Sequence, residues 1–441
     1  MNRGWIAASL LFACACASVP RDAGVADVRR AVAERSGQSL TWARDDERVR
    51  ALLQDELTAD NAVAIGVINN RRLEATFAEL GIARADLVQA SLVRNPIFEA
   101  EVRFPRDPFR PFELRLAQTL VDLVQLPRRR ALGRAAFDAA KLRVTSDVLM
   151  FAADIRARHA DLLAAAQRVA LSRTSFETAQ ASAELAQRQH DAQNITDLEL
   201  ENEQARYEDA KLDLAREEQQ FVLARESLVR AMGVRDVPAE LHLPDAFPPL
   251  PATEPDEAQL EQLASARRLD VQRAMAEVQL ARMRVPLARL AALDDVTVDA
   301  HYQRDAAGAK TVGPGIELPI PLFNNGAAAR TRAEHELVRA NALLQALLDE
   351  SSSRIRTARA SVAEARARVE YYRDVVVPRR QRIVELTKLE HNAMLVGPFT
   401  LLDARRNETQ ARRDFIDAQR DYWRARITLD AAVNGVEGDT P

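Results

Sequence analysis

The sequence predicts a mainly α-helical chain with a small β part, built as two copies of one unit. Ala, Arg, Leu and Glu dominate its 441 residues, whereas aromatic residues make up only 5% and glycines number only 14. Such usage is typical of long helices and coiled coils. Two short stretches in each half alternate apolar and polar residues, as strands with one apolar face do. Similar residues also recur about 200 positions apart, which indicates an internal duplication.

Charge and cysteine content exclude several classes of function. The 61 Lys and Arg residues against 65 Asp and Glu residues give a formal net charge of -4, so the basic footprint of a nucleic-acid-binding protein is missing. Both cysteines, Cys14 and Cys16, lie near the N-terminus, which leaves no Cys-based metal site in the rest of the chain. No catalytic motif for a nucleophile, a phosphate-binding loop or a metalloprotease occurs. We therefore expect no enzyme activity, no resident metal and no cofactor other than a covalent lipid.

Residues 1–16 resemble a bacterial lipoprotein signal peptide. An apolar run follows Arg3, and at about a dozen residues it is too short to span a bilayer as a helix. The Cys-Ala-Ser sequence favours Cys16 as the acylated residue, and Leu11 favours Cys14 instead. An ordinary cleaved signal without lipid is the alternative. No other segment approaches the ~20 apolar residues of a transmembrane helix.

The first repeat is predicted over residues 57–233, after a polar and mobile N-terminal segment over 17–56 with a short helix from about Asp45. A helix from Asp60 ends before Pro96, because proline disfavours helix in the residue before it. Alternation then predicts a β-hairpin over 97–120. Its apolar positions are Phe98, Ala100, Val102, Phe104, Phe112, Leu114 and Leu116, between Glu99, Glu101, Arg103, Glu113 and Arg115. Long antiparallel helices are predicted over 128–190 and 198–232.

A Pro-rich connection over 234–257 leads into the second repeat, 258–435, and a C-terminal tail over 436–441. The second repeat predicts a hairpin over 296–322 and helices over 327–392, with a kink at Pro378, and over 400–434. Pairs of similar residues lie 201 positions apart: Ile195 and Val396, Leu200 and Leu401, Leu214 and Phe415, Phe221 and Tyr422, Leu228 and Leu429. The order helix, hairpin, long helix, turn, helix therefore occurs twice.

The four strands of one chain have an apolar face for which no neighbouring segment offers a core. In a bilayer such strands are stable only in a closed barrel, and membrane barrels begin at about eight strands. Four strands per chain therefore require an oligomer, and three copies give a 12-stranded barrel that a long α-helical barrel continues. The lumen would then be lined by Glu99, Glu101, Arg103, Glu113, Arg115, Asp299, His301 and Glu317. A soluble sheet packed against the helices is the alternative.

An ordered set of motifs on this duplicated frame resembles the TolC-type outer membrane factors, over roughly residues 57–435. The motifs are Leu57-Thr-Ala-Asp-Asn-Ala-Val-Ala-Ile-Gly-Val-Ile-Asn-Asn70, Gly313-Pro-Gly-Ile-Glu-Leu-Pro-Ile-Pro-Leu-Phe-Asn-Asn-Gly326, Val396-Gly397 with Leu401-Leu402-Asp403, and Ala432-Val-Asn-Gly435. The resemblance implies a homotrimer in the lipid of the outer membrane of a Gram-negative bacterium, extending into the periplasm. It also implies a periplasmic adaptor (membrane fusion protein) and an inner-membrane pump of RND or ABC type as partners.

The function that the resemblance implies is an exit duct of a tripartite efflux pump, which passively conducts substrates such as metal ions or drugs. The Pro-Leu-Phe-Asn-Asn-Gly run is similar to the heavy-metal, CzcC/CusC-like branch, while multidrug and solvent export stay open. A type I secretion exit duct is the main alternative. A periplasmic adaptor is less well supported, because the sequence lacks the lipoyl-like and barrel domains, rich in Gly and β-branched residues, that flank an adaptor's helical hairpin. A soluble coiled-coil scaffold would leave the four amphipathic strands and the 201-residue repeat unexplained.

The resemblance also implies sites at the two turns between long helices. The periplasmic tip, where an adaptor docks, would consist of Asn194, Ile195, Thr196, Asp197, Val396, Gly397, Pro398 and Phe399. Asp403 matches one aspartate of the family's acidic pore gate, but Arg406 stands where the second would be. An i,i+3 contact between these two residues is the alternative to a gate. His190 and His391, also 201 apart, are either a ring of imidazoles in a trimer or solvated helix positions.

Overall fold

The computed structural model describes residues 22–38, 42, 45–104, 111–235, 238, 241–290, 295–305 and 307–436. The predicted signal peptide with Cys14 and Cys16, and the tail beyond Val436, lie outside these residues. Within the described ranges, no helix combines the length and apolarity needed to cross a bilayer. The chain forms two compact units. One contains the described residues of Ala75–Thr145 and Leu269–Asp349 together with residues 22–30, and the other contains the described residues of Ala31–Glu74, Ser146–Arg268 and 350–436.

The architecture is mainly helical with two hairpins, as predicted. The first half contains α1 (Val25–Ser36), α2 (Asp46–Gln54), α3 (Ala59–Asn69), α4 (Arg71–Ala90), β1 (Ile97–Val102), β2 (Phe112–Thr119), α5 (Leu120–Asp191) and α6 (Asp197–Met232). The second half contains α7 (Glu257–Arg267), α8 (Leu269–Ala288), β3 (Thr297–Arg304), β4 (Lys310–Glu317), α9 (Ala327–Tyr371), α10 (Val377–Asn392) and α11 (Pro398–Asn434). Gly233 and Gly435 adopt left-handed φ values of 72° and 62° and cap α6 and α11.

The N-terminal segment differs from the prediction, because α1 replaces part of the expected mobile stretch over 17–56. Val25, Val28 and Val32 recur with helical spacing and form a narrow apolar stripe among charged residues. Val28 and Val32 are each only 1% exposed. The stripe was too narrow to stand out in the sequence, but its burial is enough to hold a helix.

Both strand-to-helix junctions also differ from the predicted boundaries. Helix α5 begins at Leu120 rather than at 128 and contains Pro127, which in a helix deprives one carbonyl group of its hydrogen bond. Strand β4 ends at Glu317 rather than at 322. Pro319 and Pro321 have no N–H group for a strand ladder, so the apolar residues around them leave the sheet.

The predicted kink at Pro378 takes the form of a five-residue π-helical segment, Tyr372–Val376, between α9 and α10. Pro378 has no N–H group to donate to the carbonyl of Asp374. A π-helical turn absorbs such an interruption without ending the helix.

The four strands form one antiparallel sheet in the order β1-β2-β3-β4, in the unit with Ala75–Thr145. The two repeats meet at β2 and β3, where Leu114 lies opposite Tyr302 and Arg115 lies opposite His301. Arg115 also lies opposite Glu99 of β1. This register places the predicted charged residues on one face of the sheet, because side chains alternate between faces along each strand.

In the other unit, the Pro-rich connection is fastened to the helices by Glu254. Its carboxylate accepts the Tyr422 hydroxyl hydrogen bond at 2.6 Å and lies 3.3 Å from Arg366 of α9. It also pairs with Arg426 of α11. Tyr422 is fully buried in a core with Leu260, Ile355, Val362, Val369 and Leu429. Glu254 thus joins two helices and the connection at one point.

A buried histidine fastens the start of the first repeat to α5. His159 is 6% exposed, and its Nε2 lies 2.7 Å from the carbonyl oxygen of Leu57. The Leu57 N–H group donates to the carbonyl of His242 in the connection at 2.6 Å. Burial lowers the pKa of His159 below its ordinary value, since a charged imidazolium is poorly solvated there.

We expect Glu254→Gln to lower the free energy of unfolding by about 1–3 kcal/mol, because it leaves two half-buried arginines without their shared carboxylate. The measurement is thermal unfolding followed by circular dichroism. The control is Glu257→Gln, whose carboxylate is 46% exposed and pairs with Arg359 at 3.4 Å; such exposed pairs contribute about 0–1 kcal/mol. If the two substitutions lowered the free energy of unfolding equally, Glu254 would not be the residue that joins the connection to the two helices.

We expect the wild-type chain to lose stability as the pH falls below about 6.5, the ordinary histidine pKa. The unfolded chain then binds a proton at residue 159 that the folded chain resists, and above that pH the contribution is fully present. His159→Gln keeps an N–H donor for Leu57 but does not titrate, so its melting temperature should fall less between pH 7 and pH 5. The exposed His335→Gln serves as the control and should keep the wild-type slope. An H159Q slope equal to the wild-type one would show that His159 does not cause this loss of stability.

Candidate functional site

The two turns between long helices have the same backbone hydrogen bonds. At the first turn, Gln193 adopts a φ of 59°, and the Asn194 N–H donates to the Gln189 carbonyl at 2.8 Å. At the second, Met394 adopts a φ of 59°, and the Leu395 N–H donates to the Glu390 carbonyl at 2.9 Å. Each is a Schellman closure with a residue other than glycine in the left-handed position. The repeat thus extends to individual hydrogen bonds at both turns.

The caps of the following helices differ between the two turns. Thr196 and Glu199 form a reciprocal capping box at the start of α6, with the Thr196 N–H donating to Glu199 at 2.8 Å. This hydrogen bond, with one from the Thr196 hydroxyl, lowers the pKa of Glu199. Helix α11 instead begins with Gly397 and Pro398, and Gly397 supplies no side-chain hydrogen bond.

Each of the two matching histidines bonds across its own turn. His190 Nε2 lies 2.7 Å from the Asp197 carboxylate, and His391 Nδ1 lies 3.0 Å from the Val396 carbonyl oxygen. Both side chains therefore hold a turn closed in the single chain, which neither predicted alternative had specified.

Apolar side chains beside the predicted tip residues are exposed, and sequence reasoning had not selected them. Met394 is 93% exposed, Leu395 75% and Leu198 71%. Exposed large apolar groups at a helix turn mark a contact surface more readily than polar ones. Their position next to Ile195 and Val396 was the only signal in the sequence.

Asp403 and Arg406 form the i,i+3 contact that was given as the alternative to a gate, within a chain of alternating charges. Asp403 also lies 3.6 Å from Arg206 of α6. Arg206 in turn pairs with Glu203, which is 4% exposed and accepts a hydrogen bond from the Ser182 hydroxyl at 2.6 Å. Burial, with the nearby charge of Arg206, lowers the pKa of Arg406. The arrangement ties α5, α6 and α11 together, and Arg206 had no signal in the sequence.

The charged face of the sheet has Arg115 near its middle. One Nη atom of Arg115 lies 3.1 Å from Asp299 and 2.8 Å from Glu317, and another lies 4.0 Å from Glu99. His301 Nδ1 lies 3.7 Å from Asp299. The eight predicted lumen residues comprise five carboxylates, two arginines and one histidine: Glu99, Glu101, Glu113, Asp299, Glu317, Arg103, Arg115 and His301. With His301 neutral, five negative and two positive charges leave a net charge of -3.

Two glycines of β4 make room for this charged face. A Cβ atom at Gly315 would lie 2.6 Å from the Asp299 carboxylate oxygens, and one at Gly313 would lie 3.2 Å from His301 Cε1. The side chains of β3 therefore lie across the backbone of β4 at these positions. The Gly-Pro-Gly sequence inside a strand was the available signal, since such glycines often mark a close approach.

The opposite face of the sheet is apolar and exposed. Phe98, Leu116, Val312 and Ile316 are between 51% and 75% exposed. Within the ranges that the structure describes, the outer edges of β1 and β4 have no strand partner. An apolar face and two open edges are the two liabilities of a sheet in water.

Residues 260–435 match the family model described as outer membrane efflux protein. Over longer stretches the chain is similar to three solved channels. CusC is 16% identical with a TM-score of 0.69, over 86% of this chain and 92% of that one. The Campylobacter jejuni CmeC outer membrane channel is 15% identical with a TM-score of 0.68, over 97% and 94%.

The open-state MtrE outer membrane channel of Neisseria gonorrhoeae is 16% identical with a TM-score of 0.65, over 87% and 90%. No curated protein sequence matches the chain. At these identities the solved structures establish the fold, and the family match covers the second repeat.

Proposed function

We propose that this chain is one subunit of an exit duct, because residues 260–435 match the model of the outer membrane efflux protein family, whose members are channels rather than enzymes. Three copies form a 12-stranded barrel in the outer membrane, continued by a helical barrel in the periplasm. The duct acts passively, so an inner-membrane pump of RND or ABC type supplies the energy through a periplasmic adaptor.

The observation that carries this proposal is the four-stranded sheet with two open edges and two chemically opposite faces. Closing three such sheets edge to edge would pair every backbone group, as a bilayer requires. The apolar face with Phe98, Leu116 and Val312 suits lipid, and the face with Arg115 suits a water-filled lumen. A soluble sheet covered by helices has less support, because the apolar residues are exposed in the folded chain.

The two tips are proposed as the adaptor-docking sites. They combine the predicted residues Asn194, Ile195, Thr196, Asp197, Val396, Gly397, Pro398 and Phe399 with the exposed Leu198, Met394 and Leu395. The charge chain through Asp403, Arg406 and Arg206 is proposed as the gate, since it joins α6 to α11 near both tips. A lipid on Cys16, or on Cys14, would anchor the N-terminus to the membrane.

Cations are the proposed cargo class. The net charge of -3 on the polar face of one chain would become -9 in a trimer, and a ring of carboxylates attracts cations into a pore. Metal ions and cationic drugs both meet this description. A type I secretion exit duct is the second candidate function. An adaptor or scaffold role would not explain the exposed amphipathic sheet.

Edge-to-edge closure predicts disulfides between copies when cysteines are placed on β1 and β4. Within one chain these edges are three strand spacings, or about 14 Å, apart, and a disulfide needs Cα atoms within about 7 Å. Ala100→Cys combined in turn with Lys310→Cys, Val312→Cys or Ile316→Cys should give cross-linked oligomers up to trimers. The readout is a non-reducing gel of outer membrane fractions.

The matched control is Ala100→Cys with Thr311→Cys, which places the second cysteine on the opposite face and should not cross-link. Both native cysteines lie in the first sixteen residues, so they do not compete within the sheet. A soluble monomer that forms no cross-link in any combination would refute the duct.

The acidic lumen predicts a cation-selective conductance in planar bilayers under a salt gradient. The triple substitution Glu99→Gln, Glu101→Gln and Glu113→Gln removes the net charge of -3 from the polar face, and the permeability ratio of cation to anion should fall towards one. Arg103→Gln changes the charge in the opposite direction and should raise that ratio. A permeability ratio that neither substitution changes would show that the charged face does not line the lumen.

A further inference from the structure

A cavity of 680 Å³ lies within the unit that contains Ser146–Arg268. Its volume falls in the range of about 300–1,000 Å³ typical of small-molecule sites. Helices α1, α3, α5, α7 and α11 and the Pro-rich connection supply its walls. The larger apolar side chains among them are Leu149, Leu163, Phe247, Leu260, Leu263, Trp423, Ile427 and Leu429. The duct proposed above makes no use of this cavity.

Four arginines line the cavity, and two of them are neutralised. Arg156 lies 3.3 Å from the carboxylate of Asp60. Arg426 pairs with Glu254 and lies 3.6 Å from Asp430. The remaining two, Arg35 and Arg267, have no carboxylate at ion-pair distance among the described residues.

Arg35 and Arg267 are held close to each other. Arg35 Nε donates to the carbonyl oxygen of Arg267 at 3.2 Å, and its Nη1 donates to the carbonyl of Ala31 at 3.1 Å. Burial lowers the pKa of Arg35; Glu34 opposes this effect, and the charge of Arg267 adds to it. Two like charges beside an apolar cavity are unfavourable unless an anion compensates them.

Two further polar atoms at the cavity have no hydrogen-bond partner. The Trp423 Nε1–H group and the Asn434 Oδ1 atom are buried and unpaired within the part of the chain that the structure describes. Both residues line the cavity. Buried polar groups are nearly always paired, so the indole N–H is a free donor for a ligand oxygen.

We propose that this cavity binds a single-chain amphiphile with an anionic head group. Arg35 and Arg267 hold the head group, because guanidinium groups pair with carboxylate and phosphate oxygens in a planar geometry. The apolar walls from α5, α7 and α11 hold the hydrocarbon chain. The site lies within one unit of one chain, so it does not depend on the proposed duct.

The test uses quenching of Trp423 fluorescence by 12-bromododecanoate, with the full chain in phosphatidylcholine nanodiscs at pH 8. The uncharged 12-bromododecanol is the matched ligand, and empty nanodiscs give the blank. The carboxylate should reach half-maximal quenching at a roughly tenfold lower free concentration than the alcohol, the factor that one charge-assisted hydrogen bond contributes. Trp423→Phe should abolish this component and leave the emission of the other tryptophans, Trp5 and Trp42, unchanged.

The double variant Arg35→Gln and Arg267→Gln should weaken carboxylate quenching roughly tenfold or more and leave alcohol quenching as it was. Arg188→Gln with Arg216→Gln removes two charges from exposed side chains that pair with Glu184 and Asp213, and should change neither. Equal quenching by acid and alcohol in the wild type would overturn the proposal. So would a folded double variant with wild-type affinity. If the double variant does not fold, the comparison of acid and alcohol quenching in the wild type is sufficient to decide.

Discussion

The register between β2 and β3 is the constraint on which the sheet depends, because it is where the two repeats meet. A slip of one residue would move every side chain of β3 to the other face, and Arg115 would then lose its partners in the second repeat, Asp299 and Glu317. The register, together with the space above Gly313 and Gly315, keeps the charged residues on one face and the apolar residues on the other. Everything inferred about lipid and lumen follows from this separation.

The second unit depends on a different device, the carboxylate of Glu254. Duplicated halves share a pattern, but the Pro-rich connection between them has no copy elsewhere in the chain. It could have been a passive linker. Instead, its carbonyl groups and Glu254 accept hydrogen bonds from Arg366 and Tyr422, so it forms part of the core. A Pro-rich segment loses little conformational entropy on folding, which suits a connection that must lie flat across helices.

Features with a short period were predictable from the sequence, and contacts between distant elements were not. Alternation located both hairpins, and the recurrence of Ile195 at Val396 located both turns between long helices. The same reasoning placed the end of β4 too far along the chain. It followed the apolar alternation through Pro319 and Pro321 and did not consider that prolines have no N–H group for the strand ladder. Arg206 beside Asp403, and Arg35 beside Arg267, unite residues about 200 positions apart or more. No local pattern encodes such pairs, because tertiary packing alone decides which helix faces which.

The unequal caps of α6 and α11, at the two turns between long helices, have a consequence for the stability of the two helix starts. Thr196 and Glu199 satisfy two backbone groups at the start of α6 reciprocally, whereas Gly397 leaves the start of α11 without a side-chain acceptor. Because glycine is itself a favourable N-cap residue, a helix start with a glycine cap is less stable than one with a threonine cap by only about a few tenths of a kcal/mol. The first turn of α11 is therefore expected to open slightly more readily than the first turn of α6. The same duplicated turn is thus followed by a more stable helix start in the first repeat than in the second.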